Sequence, residues 1–201
     1  MKEWLSQYKY RGDVRYELLL SSMLEHAYDS LVQEVSVRGW FLKERLAHQH
    51  TWNKPSPRRS RVKQPIWKPD VITFVPVSGQ RLLERGFNQA RRLASYLGET
   101  RNVRVEDLLK RNYDSGKQSY KTRAQRLASM HELFSIKAKE FNQLLSTYRV
   151  TEVPGRALSI VLIDDIYTTG STMNACSHAI QTFATAEGIQ VEVYGLTWAR
   201  S

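Results

Sequence analysis

An α/β fold with a mostly parallel sheet flanked by helices is the class this sequence predicts, from three observations. VITFVPV (71–77) and LSIVLI (158–163) are short continuous apolar runs rich in β-branched residues, the pattern of strands buried on both faces. Each is followed by turn residues and then by apolar side chains at helical spacing. A last strand, VEVYGLTW (191–198), closes the series, and strands alternating with helices imply a parallel sheet with right-handed crossovers.

The elements are justified in order. Asp13 is a good N-cap, and Tyr16, Leu20, Met23, Leu24 and Ala27 place one apolar face on a packing helix that runs to Tyr28. From Val32 to Asp70 the pattern decays. Within that stretch KPSPRRSRVKQPIWK (54–68) is basic, contains Pro55, Pro57 and Pro65, and has no acidic residue, so it reads as an insertion or exposed arm. After the 71–77 strand comes a strand-to-helix loop. A helix follows Gly86, with Ala90, Leu93, Ala94 and Leu97 on one face and Gly98 as its stop. A weaker strand is expected over Val103–Leu109, and 111–130 is polar with almost no apolar periodicity. A strand over Glu132–Ile136, a helix over Ala138–Tyr148 and the 158–163 strand complete the approach to DDIYTTGST. The helix beyond carries Met173, Cys176, Ile180 and Phe183 on one face. The division expected is an N-terminal helical segment with a basic hood or insertion over 1–69, and an α/β core over 70–201.

Bulk properties bound the function. At 201 residues, 41% hydrophobic and 25% charged, the chain has the composition of a soluble globular protein, with no apolar run near the ~20 residues of a membrane-spanning helix. The N-terminal MKEWLSQYKYRGD lacks the apolar stretch of a signal peptide, so membrane insertion is not expected and the cytoplasm is the default location. The single cysteine, Cys176, excludes an internal disulfide and a cysteine-rich zinc site in these residues; on its apolar helix face it reads as a small buried hydrophobe. Thirty Lys plus Arg against 20 Asp plus Glu leave a net charge of +10, which favours an anionic partner without choosing among phosphate ligand, nucleic acid and acidic protein. His48 and His50 lack a third ligand in register, and a surface pair is the simpler reading.

The chemistry concentrates in SIVLIDDIYTTGST (159–172). Ligands of open α/β sheets bind beyond the carboxyl ends of the strands, where this strand ends in Asp164 and Asp165. Free N–H groups at the following helix start, close approach at Gly170, and the hydroxyls of Thr168, Thr169, Ser171 and Thr172 form a cradle for a phosphate dianion. Two carboxylates beside such a cradle serve neutral donors or a metal, and vicinal ribose hydroxyls are such donors; together they specify a ribose 5-phosphate. The simpler alternative is a buried strand before an ordinary helix, with both aspartates solvated. A G-x-x-x-x-G-K-[ST] loop is lacking, so a nucleotide triphosphatase is unsupported.

Four apolar residues, two acidic residues, an apolar residue, a variable one and TTG-x-T resemble the signature of type I phosphoribosyltransferases. VPVSGQRLLERGFNQA (75–90) is similar to the VP-x-S…R-x-x-x-RGFNQ block of the ComF family within that superfamily. KYRGD at Lys9–Asp13, the spacing from Gln118 to Arg126, and TWAR at 197–200 also match. The resemblance implies a type I phosphoribosyltransferase fold, a phosphoribosyl pyrophosphate ligand carrying Mg2+ with no direct protein-held metal, and a role in natural competence: import of single-stranded DNA beside a ComFA-like helicase. Members commonly begin with a four-cysteine zinc ribbon. This chain has none, so no zinc is expected, and its Met1 falls about where that ribbon would hand over.

Matching positions imply further roles. Ser78 and Gly79 occupy the place of the pyrophosphate loop, with Arg81 and Arg85 as nearby cations or simply a solvated basic turn. Lys117, Lys121, Arg123 and Arg126 lie where a mobile hood would close, or form a basic loop. Arg58, Arg59, Arg61 and Lys63 are candidates for nucleic-acid phosphates. Trp40, Trp52, Trp67, Tyr113 and Tyr120 lie near basic residues, as base stacking or ordinary core packing would both want. An acceptor-base pocket is not visible. Two functions are therefore weighed: Mg2+-dependent ribosyl-phosphate transfer to a nitrogen nucleophile, and a binding module that keeps the ligand loop for DNA uptake or metabolite sensing.

Overall fold

The computed structural model describes residues 14–48, 66–112, 133–151 and 156–200. Helix α1 spans Val14–His48, far past the expected end at Tyr28. The apolar stripe does thin out there, but Leu31 and Val32 still pack on the core. Beyond them the helix is held by polar contacts. Ser36 Oγ donates to the Val32 carbonyl at 2.7 Å and accepts the Trp67 N–H at 2.8 Å, and Arg38 pairs with Glu34 one turn back. Among the described side chains of α1, Leu20, Ser21, Leu24 and Tyr28 are buried; Met23, expected on the packed face, is exposed. The Asp13 cap and the 54–65 part of the basic arm lie outside the described residues, as does 113–130 of the polar stretch.

Strand β1 (Val71–Phe74) is buried throughout. Where a plain loop was expected, a short helix α2 (Gly79–Arg85) intervenes, stopped by Gly86 at φ 74. Helix α3 (Gln89–Arg101) starts at the Asn88 N-cap and runs through Gly98, the expected stop, to Asn102 at φ 51. Gly98 is an interior residue because the chain returns across it: an added Cβ would lie 2.2 Å from Val105 Cγ2 and 2.8 Å from the Val103 carbonyl oxygen.

The weak strand expected over 103–109 divides. Val105 bridges Ile72 in parallel, and Leu109–Arg111 (β2) pairs antiparallel with Phe134–Ile136 (β3). Helix α4 covers Ala138–Thr151, strand β4 Leu158–Tyr167, helix α5 Ser171–Ala186 and strand β5 Val191–Arg200.

The sheet has the order β1-β4-β5, all parallel. Side-chain alternation along the strands splits the core into two layers. Val71, Val75, Leu158, Ile160 and Leu162 face α4 and α5, meeting Phe141, Leu145, Cys176 and Ile180. Ile72, Phe74, Val161, Ile163 and Leu196 face α1 and α3, meeting Leu20, Leu24, Leu93 and Leu97. Burial of each such aliphatic side chain contributes about 1.5–3 kcal/mol. Helix α1 thus completes one face of the sheet, and Arg101 of α3 ties it down through Asp29 at 2.8 Å.

The topology fixes where a ligand can sit. From β1 the chain crosses by α3 on one face to the Val105 bridge on one side of β1. From β4 it crosses by α5 on the other face to β5 on the far side. Strand order therefore reverses between β1 and β4, which is where open α/β sheets have their ligand crevice, beyond the carboxyl ends of the strands.

Candidate functional site

The last rung between β1 and β4 is the Val75 N–H donating to the Ile163 carbonyl at 2.9 Å. Beyond it β1 turns away through Pro76 and Val77 toward α2. Strand β4 continues: Asp164 stands opposite Thr197 of β5, Ile166 opposite Ala199 and Tyr167 opposite Arg200. The two aspartates are therefore in the last rungs of a ten-residue strand, rather than just past the end of one closing at Ile163. The cause is β5, equally long, which goes on pairing after β1 has stopped.

Losing β1 exposes one edge of β4 at the aspartates. The Asp165 N–H, one step past the last β1 rung, donates to Asp164 Oδ1 at 2.8 Å. Both carboxylates are half-buried. Asp164 lies on the α5 side, close enough to Cys176 to help burial push that thiol well above its ordinary range. Cys176 is fully buried and uncharged, so it offers no nucleophile.

The connection from β4 to α5 is three residues long. Thr168 and Thr169 are exposed, while Gly170 is buried at φ 75 and forms the N-cap of α5 with no side chain closing the helix start. Ser171 and Thr172 are half-buried, and the Thr169 and Ser171 hydroxyls share a hydrogen bond of 2.9 Å. Glycine is required at 170 twice over. Its φ disfavours a side chain, and a Cβ would lie 2.6 Å from the Tyr167 hydroxyl and 2.9 Å from its ring. The first N–H groups of α5 thus stand at the positive end of a helix dipole, a few residues along the chain from the two carboxylates.

Across the crevice, Ser78 is buried and its Oγ accepts the Arg81 N–H at 3.3 Å, capping α2. Gly79 opens that helix with nothing within 4 Å of where a Cβ would sit. Arg81 is exposed and Arg85 half-buried, its Nη1 donating to Gln89 Oε1 at 3.4 Å. The residues expected in a pyrophosphate loop are therefore on a helix of about two turns that follows β1, with Ser78 as its N-cap and Arg85 as its last residue. Lys117, Lys121, Arg123 and Arg126, and Arg58, Arg59, Arg61 and Lys63, lie outside the described residues.

Three residues here have no role in the sequence reading. Tyr167 walls the loop against Gly170. Asn88 caps α3 by accepting the Arg91 N–H at 3.3 Å and donates from Nδ2 to the Val75 carbonyl at 3.0 Å, fixing the α3 start over the end of β1. Gln89 is buried beside Arg85. Only Asn88 carried a legible signal, a capping residue directly before a periodic helix.

Among the described residues no group of three His, Cys, Asp or Glu side chains is placed to hold a metal. Mg2+ keeps most of its waters and binds through phosphate oxygens, so an ion carried on a diphosphate would need no ligand set built from protein side chains alone. No helix among the described residues is long and apolar enough to cross a membrane.

Fold and site together define a mixed α/β protein with a three-stranded parallel sheet flanked by helices, compatible with a phosphoribosyltransferase-like fold. The chain is similar to competence protein ComFC of Bacillus subtilis (strain 168): 28% identical over 180 residues, covering 90% of this chain and 53% of the relative. That likeness supports a ComFC-like protein, and the chain spans about half the length of the curated relative it matches. No family model matches it.

Proposed function

We propose that this chain is a competence factor of phosphoribosyltransferase-like fold that binds phosphoribosyl pyrophosphate with Mg2+ and assists uptake of single-stranded DNA during transformation. The observation that carries the ligand assignment is the crevice at the strand-order reversal, with Asp164 and Asp165 on one wall and the uncapped start of α5 beside them. In this reading the α5 N–H groups and Thr169, Ser171 and Thr172 receive the 5-phosphate. The aspartates accept the two ribose hydroxyls, and the diphosphate points toward α2. Mg2+, when bound, neutralises the diphosphate.

The likeness to a competence protein supports the biological role. The net charge of +10 supports a polyanionic partner, with Arg58, Arg59, Arg61 and Lys63 as the proposed phosphate contacts beside a ComFA-like helicase. The test is fluorescence anisotropy of a labelled single strand across a salt series, run with charge reversals at the three arginines. Binding that weakens steeply with salt, and drops on charge reversal, is expected. Salt-independent or unaltered binding contradicts the DNA contact. Acceptor-dependent pyrophosphate release with a mixed pool of bases and amines, lost in Asp164→Asn/Asp165→Asn, would instead make the chain a transferase.

A further inference from the structure

The corner between α2 and α3 contains a buried polar group that no capping or packing role uses. Gln89 is the first residue of α3 and 1% exposed. Its Oε1 accepts from Arg85 Nη1 at 3.4 Å, and its Nε2 has no hydrogen-bond partner. Glutamine is an expensive residue to bury at such a place, since an apolar side chain would fill the same space without an unmet donor. Its neighbours are fixed independently: Gly86 ends α2 in the left-handed region, and Asn88 holds the α3 start to the Val75 carbonyl. Gln89 is therefore attached to a fixed corner, and Arg85 reaches it from the last turn of α2 on a long, half-buried side chain.

We propose that Gln89 is a positioning residue, holding the Arg85 guanidinium at the mouth of the β1–β4 crevice to receive the diphosphate end of the ligand. The inference rests on the phosphoribosyl pyrophosphate reading above. Arginine suits the task because its planar fork meets two phosphate oxygens at once, provided its orientation is set beforehand. The Gln89 amide oxygen sets it without adding a negative charge that would compete with the phosphates.

Calorimetry with two probes separates this role from a general structural one. Phosphoribosyl pyrophosphate with Mg2+ reaches the whole site, whereas ribose 5-phosphate lacks the diphosphate and reads only the α5 loop and the aspartates. Gln89→Met is expected to weaken the first about tenfold and leave the second within twofold. In an Arg85→Ala background Gln89→Met should add no further loss. Gln89→Glu retains an acceptor for Arg85 but adds the competing charge, so it is expected to weaken the first probe and leave the second within twofold; it also keeps the test available if the methionine variant does not fold. Equal weakening of both probes, unchanged affinity for the first, or additive losses in the double variant would each overturn the proposal. Failure of the parent protein to bind either probe would instead overturn the ligand reading on which it depends.

Discussion

The Asp165 N–H donates to Asp164 Oδ1 at 2.8 Å one step beyond the last hydrogen bond joining β1 to β4. The Asp164 carboxylate is thus oriented by the backbone of its own strand. Asp164→Asn keeps an amide oxygen for that N–H and is expected to unfold within ~0.5 kcal/mol of the parent. Asp164→Ala leaves the donor unmet and should lose about 1 kcal/mol, read by urea denaturation. Equal stabilities for the two variants would mean that the bond is not formed in solution.

Gly170 combines a left-handed backbone with the Tyr167 ring against its face. Gly170→Ala is expected to cost about 1–3 kcal/mol. Adding Tyr167→Ala should restore the steric part and leave the ~1 kcal/mol of a side chain at positive φ. Purely additive losses in the double variant would contradict the contact.

Gly98 reverses the usual rule that glycine to alanine stabilises a helix by about 1 kcal/mol. A methyl group there meets the Val103 carbonyl oxygen and the Val105 side chain, so Gly98→Ala is expected to lower the thermal unfolding midpoint. A raised midpoint would show that the 103–105 crossing yields easily.

Much of this architecture was legible because buried parallel strands announce themselves as apolar runs: 71–74 and 158–163 needed no tertiary information. The short turn between β4 and α5 was legible too, because a Thr/Gly cluster separates an apolar run from a helically spaced one. What escaped were features decided at a distance. The length of α1 depends on Ser36 meeting Trp67, 31 residues away. Gly98 reads as a stop because the crossing segment that requires a glycine there is invisible in local spacing. The three-residue strand β2 is too short for a period to register, whereas β3 falls within the strand expected over 132–136. At the site, Gln89 sits in a recognisable block, yet its burial beside Arg85 appears only once α2 and α3 are packed.

Cys176 and Tyr194 give the protein an alkaline weakness. Burial raises the Cys176 thiol, with Asp164 adding to it. Burial and then the hydrogen bond to Glu192 push Tyr194 up to about 12. The folded chain then holds protons that the unfolded chain releases, so this contribution is complete below about pH 8.5, the ordinary thiol value, and declines as pH rises. Cys176→Ala should show a shallower fall of stability above that pH in urea titrations. In the parent, iodoacetamide at pH 8 should label the thiol only after unfolding; rapid native labelling would contradict its burial.

Calorimetric titration of phosphoribosyl pyrophosphate with Mg2+ into the parent protein and into folded Asp164→Asn/Asp165→Asn bears most directly on the site. Saturable one-to-one binding by the parent, abolished in the double variant at unchanged secondary structure, is the predicted result. The same affinity in both would contradict the assignment of the β1–β4 crevice as a ribose-phosphate site.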